Sequence, residues 1–218
     1  MCRVERWSIR VLRAKIGSML FERTALSRKS ARVIKQEIRT LRTEDRLTPS
    51  LIFRDPYLLD FLNLKGAYQE KDLEAAILRE MEAFVLELGG GFTFVARQKR
   101  ISVGPDDFYL DLLFYHRGLK RLVAVELKLG KFRPEYKGQM ELYLRWLDRN
   151  ERKPGEESPL GLILCAGKSN EQIELLQLDR CGIQVAQYLT DLPPRRLLEK
   201  KLREAIRFAR KQLIPPTG

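Results

Sequence analysis

FYLDLLFYHRGLKRLVAVELKLG, residues 108–130, decides how this chain folds. Side chains of a β-strand alternate between faces, so residues two apart point the same way. Val123, Val125 and Leu127 then share one face, and Glu126 and Lys128 share the other. In the preceding segment Phe108, Leu110, Leu112 and Phe114 form an apolar face opposite Asp107, Tyr109, Asp111, Leu113 and Tyr115. Arg117-Gly118-Leu119-Lys120 reads as a turn, so the two segments pair as an antiparallel hairpin. Asp111 and Glu126 then reach neighbouring strands with one side in common. Asp111, Glu126 and Lys128 converge in the spacing D-x14-E-x-K. Acidic residues are disfavoured in mid-strand, so this gathering needs a reason.

The pattern extends in both directions. Phe92–Val103 reads as a strand joined to the hairpin by the turn Gly104-Pro105-Asp106, completing a three-stranded meander. Ahead of it, residues 71–88 carry Leu73, Ile77, Met81, Phe84 and Leu88 at helical spacing, and Gly89-Gly90-Gly91 ends the helix. After the hairpin, Pro134 opens a helix to about Asp148 with Met140, Tyr143, Leu144 and Leu147 on one side. Leu160–Ala166 is continuously apolar and reads as a buried strand. A helix at Asn170–Leu178, a short strand at Gly182–Tyr188 and a basic amphipathic helix at Leu192–Leu213 complete the chain. Two amphipathic segments, residues 7–21 and 30–42, precede a connector at 47–69 with Leu58, Leu59, Phe61 and Leu62 as apolar anchors. This order predicts an α/β fold, an αβββαβ core with a mixed central sheet flanked by helices, plus a short helical N-terminal segment. The boundary falls at the connector, giving residues 1–64 and 65–218 as the two parts.

Composition narrows the chemistry. The chain has 218 residues, three cysteines and one histidine. A site of several histidines or paired cysteines is excluded, and three scattered thiols predict no disulfide framework, consistent with a reducing cytoplasm. No apolar run is long enough to span a bilayer. His116, beside Arg117-Gly118, reads as a solvent-exposed turn residue, and Glu80, Glu82 and Glu87 read as surface residues. The formal net charge of +12 is unevenly spread. Residues 1–46 hold 13 Lys/Arg and 5 Asp/Glu, and residues 192–213 hold 8 and 2. The middle, residues 47–191, holds 20 and 22. Two basic flanks around a near-neutral core suit a polyanion partner, although solvated helix faces would give the same count.

Two carboxylates close together in a partly buried place repel each other, and a divalent cation relieves that. Mg²⁺ prefers hard oxygen ligands and keeps several waters, which suits Asp111 and Glu126 with the Leu127 backbone carbonyl; Mn²⁺ is a possible substitute. Lys128 would orient the attacking water and offset charge on a phosphate. A buried ion network would use the same three side chains. Glu74, beside the apolar stripe of its helix, and Gln139, on the helix after the hairpin, are accessory candidates. Arg97, Gln98, Lys131, Arg133, Tyr136 and Lys137 are the candidate nucleic-acid contacts.

At Asp111, Glu126 and Lys128 the sequence resembles the PD-(D/E)XK nuclease superfamily. FYLDLLFYHRGLKRLVAVELKLGKFRPEYKGQMELYL and FVLELGGGFTFVARQ are similar to the YhcG-type bacterial branch. The resemblance implies a metal-dependent endonuclease acting on nucleic acid, with DNA as the expected substrate, in DNA processing or genome defence. It implies metal-ligand roles for Asp111 and Glu126, a catalytic role for Lys128, accessory roles for Glu74 and Gln139, and a bacterial cytoplasmic location. WSIRVLRAKIGSMLFERTALS and LIFRDPYLLDFL are similar to the closing part of the family's N-terminal domain, expected to bind DNA or to oligomerise. Cutting both strands of a duplex favours two sites, so a homodimer or higher homo-oligomer is expected. The competing reading is a non-catalytic nucleic-acid-binding or assembly module that retains the nuclease fold.

Overall fold

The computed structural model describes residues 52–64 and 66–191, with Pro194, Arg196 and Lys200 beyond them. The helices expected at 7–21 and 30–42, and all but those three residues of the one expected at 192–213, lie outside the described residues. β1 (Tyr57–Leu58) and a 3-10 turn (Asp60–Leu62) lead into α1 (Glu70–Arg79) and α2 (Met81–Leu88). The meander follows as β2 (Phe92–Val103), β3 (Asp106–His116) and β4 (Arg121–Lys131). Then come α3 (Glu135–Asn150), β5 (Leu160–Gly167), α4 (Asn170–Leu175), a 3-10 turn (Leu178–Cys181) and β6 (Ile183–Leu189). The order from α2 to β5 is the expected αβββαβ core.

The strands form one six-stranded mixed sheet in the order β1-β6-β5-β4-β3-β2. Local turn chemistry sets the antiparallel half. Gly104, with φ +59, and Pro105 join β2 to β3, and Val103 faces Asp106 across that tight turn. His116 faces Arg121 at the next hairpin. Beyond β4 the chain crosses through α3 and returns parallel as β5, as a parallel pair requires.

Alternation divides the core into two layers. Val123, Val125 and Leu127 pack with Leu73, Ile77, Phe84 and Leu88 of α1 and α2. Leu122 and Ala124 pack with Met140, Tyr143, Leu144 and Leu147 of α3. β5 is covered on both sides: Leu162 and Leu164 join the first layer, Ile163 and Cys165 the second. Such two-sided burial is why it reads as an unbroken apolar run.

Several expectations are corrected. The stripe of residues 71–88 is divided at Glu80, whose φ −104 and ψ 33 leave the helical range. The apolar spacing of Leu73, Ile77, Phe84 and Leu88 survives the break, so it gives no sign of it. Phe108 and Leu110 pack on the α3 side, while Leu112 and Phe114 pack on the α1–α2 side. The alternation of β3 therefore slips at Asp111. The helix expected to reach Leu178 stops at Leu175, because Gln177 takes φ +50 ahead of the 3-10 turn. The connector contributes an edge strand, since Tyr57 and Leu58 pair in parallel with Tyr188 and Leu189.

Two side chains expected at the surface are buried. His116 is 2% exposed: its Nδ1 accepts the Leu119 N–H at 3.0 Å and its ring meets Phe92 edge-on at 4.7 Å. Burial holds its pKa below the usual histidine value. Gly91, at φ +94, packs beneath that ring, and a Cβ there would stand 3.0 Å from Nε2. Glu87 is 7% exposed, accepts the Leu58 N–H at 2.8 Å and pairs with Arg54 at 3.4 Å.

Candidate active site

The site lies where the β3–β4 ladder opens. Their register runs from His116 opposite Arg121 to Leu112 opposite Val125, and the next two residues are Asp111 and Glu126. Side-chain carboxylates take over from the backbone there. Glu126 Oε1 accepts the Asp111 N–H at 3.3 Å, and Asp111 Oδ2 accepts the Leu127 N–H at 2.8 Å. The two acids thus satisfy amides that the diverging strands leave without ladder partners, as buried N–H groups require.

Lys128 follows on the same face as Glu126, and its Nζ lies 3.0 Å from Glu126 Oε2. The Tyr136 ring stands 5.3 Å from that ammonium. Alternation in β4 therefore sends one carboxylate and one ammonium to one place, while Leu127 between them anchors the strand in the opposite core layer. α1 covers this end of the sheet with two further acids. Glu74 Oε2 accepts from Gln98 Nε2 at 2.9 Å, and the same nitrogen donates to Asp111 Oδ1 at 3.1 Å. Glu70, one helical turn earlier, stands 4.0 Å from Lys128 Nζ and accepts the Leu129 N–H at 3.3 Å.

The electrostatics follow from this crowding. Glu126 is 3% exposed, and its pKa is pushed up to about 7, first by burial and then by the charge of Asp111, against the pull of Lys128. Burial also raises Asp111, although the Leu127 N–H, Lys128 and Gln98 oppose the rise. Glu74 is raised by burial and by Asp111. Burial acts to lower Lys128, but Glu126 outweighs it, so the ammonium is held above its ordinary value. The site is a patch of reluctant carboxylates beside one firmly protonated lysine.

Among the described residues, no group of three or more His, Cys, Asp and Glu side chains is placed to hold a metal ion unaided. A small hard cation needs fewer, because it keeps several waters and binds through one or two carboxylates. Asp111 and Glu126 meet that requirement. Glu126 is buried beside Asp111, and a cation there would offset the charge that burial and Asp111 disfavour. The donor set fits a divalent metal.

The other expected residues spread outward. Gln139 donates to the Tyr143 hydroxyl at 2.6 Å, and that hydroxyl reaches the Tyr109 carbonyl at 3.4 Å, so Gln139 reaches β3 through a tyrosine. Gln98, expected as a nucleic-acid contact, sits inside the acidic cluster. Lys137 pairs with Glu141 at 3.1 Å. Arg97, Lys131 and Arg133 are exposed, on β2, at the end of β4 and just before α3. Sequence reasoning missed Glu70. Its available signal was the i, i+4 spacing to Glu74, which places both acids on one side of α1 once the helix is seen to start at Glu70 rather than Lys71.

An αβββαβ core with a D…E-x-K set at the opening of its central hairpin defines the PD-(D/E)XK class of nuclease domains. Residues 50–205 match the family described as the YhcG PDDEXK nuclease domain, and the chain belongs to that family. Over 162 residues it is 41% identical to "Putative nuclease YhcG" of Escherichia coli (strain K12), covering 74% of this chain and 42% of that protein. The chain thus spans less than half the length of that relative. Among solved structures, a repair endonuclease from Pyrococcus abyssi is similar at 24% identity and a TM-score of 0.40, over 60% of this chain and 50% of that one. A structure of an EndoMS–dsDNA complex is similar at 20% identity and a TM-score of 0.41, over 61% and 49%.

Proposed function

We propose that this domain is a divalent-metal-dependent endonuclease that hydrolyses phosphodiester bonds in nucleic acid, with DNA as its substrate. The observation that carries the reading is the convergence of Asp111, Glu126 and Lys128 at the open end of the β3–β4 hairpin, with the Lys128 ammonium 3.0 Å from Glu126. A protein that needed only to bind a polyanion would gain nothing from carboxylates facing it.

Asp111, Glu126 and the Leu127 carbonyl would hold the cation, Mg²⁺ or in its place Mn²⁺, which when bound supplies Lewis acidity toward a phosphoryl oxygen and lowers the pKa of a bound water. The remaining work belongs to the chain. Lys128 stays protonated beside Glu126, orients the attacking water and donates to the phosphate as negative charge builds there. Glu70 and Tyr136 limit where that ammonium can swing. Glu74 adds negative potential from α1, and Gln139 fixes the Tyr143 hydroxyl against β3. Arg97, Lys131, Arg133 and Lys137 receive the sugar-phosphate backbone around the site, which positions substrate without reading bases. Two copies of the site, in a homo-oligomer, would serve the two strands of a duplex.

The binding-module reading has one observation in its favour: the inner oxygens of Asp111 and Glu126 already satisfy backbone amides. Both readings meet in one experiment. Plasmid, branched and linear DNA and RNA are incubated with wild type, Glu126→Ala and Lys128→Ala in Mg²⁺, Mn²⁺ and EDTA. Cleavage that needs metal and disappears in both variants is expected. Salt-dependent binding by wild type with no cleavage of any substrate would leave the binding module standing.

A further inference from the structure

Gln98 does three unusual things at once. Its single Nε2 donates to Glu74 Oε2 at 2.9 Å and to Asp111 Oδ1 at 3.1 Å, joining α1 to β3. Its backbone lies at φ +42, in the left-handed region that non-glycine residues seldom enter. It also drops out of the β2–β3 ladder, which is registered on either side, Arg97 opposite Leu112 and Lys99 opposite Leu110. The ladder also omits Val95, at a bulge, but of the two only Gln98 has a positive φ and stands opposite Asp111.

We propose that Gln98 is a positioning residue of the nuclease site, held in a strained backbone so that one neutral amide clasps the carboxylates of Glu74 and Asp111 together. This rests on the nuclease reading and deepens it. Strained φ/ψ values persist where the surrounding structure over-determines them, and they concentrate at functional sites. The residue type matters as well. An arginine or lysine would align the same acids but neutralise them and compete with a cation. An amide aligns them while leaving their charge available. Burial and then the charge of Asp111 raise the pKa of Glu74, and the Gln98 amide opposes that rise. The slipped alternation of β3 at Asp111 is the matching distortion on the partner strand.

The test uses the full chain and four readouts. Gln98→Gly removes the amide but accepts φ +42 without strain, so its Tm is expected to equal or exceed that of wild type. Its kcat at saturating DNA is expected to fall about tenfold or more, since small misplacements of catalytic groups cost that much. Its Kd for DNA in EDTA is expected to match wild type. A residue of purely structural value would lose Tm together with rate, and a nucleic-acid contact would lose Kd; either result overturns the proposal, as does an unchanged kcat. The fourth readout needs no activity. In the metal-free protein, the Gln98 side-chain amide signals in an ¹⁵N-resolved NMR spectrum are expected to move in both Glu74→Gln and Asp111→Asn, and signals that move in neither remove the clasp. If wild type cuts nothing, the nuclease reading fails alone, and the amide signals still decide whether Gln98 holds the two acids.

Discussion

Glu126 is the residue on which chemistry and stability meet. Its folded pKa of about 7 lies above its ordinary value of 4.5. Between those values the folded chain holds a proton that the unfolded chain has released, so stability falls as pH rises through that window and levels above it. At roughly 1.4 kcal/mol per unit the loss is at most about 3 kcal/mol. Denaturant titrations in EDTA across pH 4.5 to 7.5 should show that decline, and Glu126→Gln should flatten most of it. A protonated Glu126 is a poor metal ligand, so cleavage in Mg²⁺ should rise with pH towards neutrality. Glu70 gives a second prediction at this scale. It holds Lys128 from α1 without touching either expected metal ligand, so Glu70→Gln should lower kcat roughly tenfold and leave DNA affinity in EDTA unchanged. The two residues were unequally legible. Glu126 stands out because a period of two makes a charge in VAVELKLG conspicuous. Glu70 lies in QEKD, an ordinary helix start, and only the docking of α1 on β4 turns it toward Lys128.

At the scale of elements, turn chemistry and strand periodicity carried most of the fold, and they failed where a long-range contact decided the outcome. The meander was legible because Gly104-Pro105 and the Arg117–Lys120 turn are local signals. The two-residue β1 and the burial of Glu87 were not, because each depends on segments distant in sequence, and the break at Glu80 left no mark on the apolar spacing. Glu87 shows the energetics. It ties α2 to the edge strand by accepting the Leu58 N–H at 2.8 Å. Glu87→Ala leaves that amide without its acceptor in a buried place, which should cost about 1–3 kcal/mol, read from chemical unfolding. Gly161 reports on the layer behind the site. A Cβ there would stand 2.6 Å from Met140 Cγ and 2.7 Å from its Sδ, so α3 rests directly on the β5 backbone. Gly161→Ala must displace Met140 from a filled core and should destabilise by about 1–3 kcal/mol. Because α3 also carries Tyr136 and Gln139, the same variant should lower cleavage by more than its folded fraction accounts for.

Over the whole molecule, charge is partitioned between the site and the flanks. The central residues 47–191 are close to neutral and hold every carboxylate of the candidate site, whereas the excess of positive charge lies in residues 1–46 and 192–213. On the proposed reading, chemistry and capture would then be separable properties of this chain. Neutralising phosphates with lysine and arginine releases counterions, so log K should fall linearly with log salt, with a slope of about −0.9 per phosphate contacted on duplex DNA. Arg203, Arg207 and Lys211 lie in the C-terminal basic segment of the sequence. Changing all three to Gln should weaken binding to unrelated DNA sequences by the same factor and make the salt slope shallower by up to about 3, since at most three phosphate contacts are lost. Turnover at saturating DNA should stay at the wild-type value, because the site has kept its groups. Fluorescence anisotropy over a salt series, paired with cleavage at saturation, reads both quantities. A triple variant with unchanged slope would place capture on Arg97, Lys131 and Arg133 around the site, and the basic flanks would then be solvated surface.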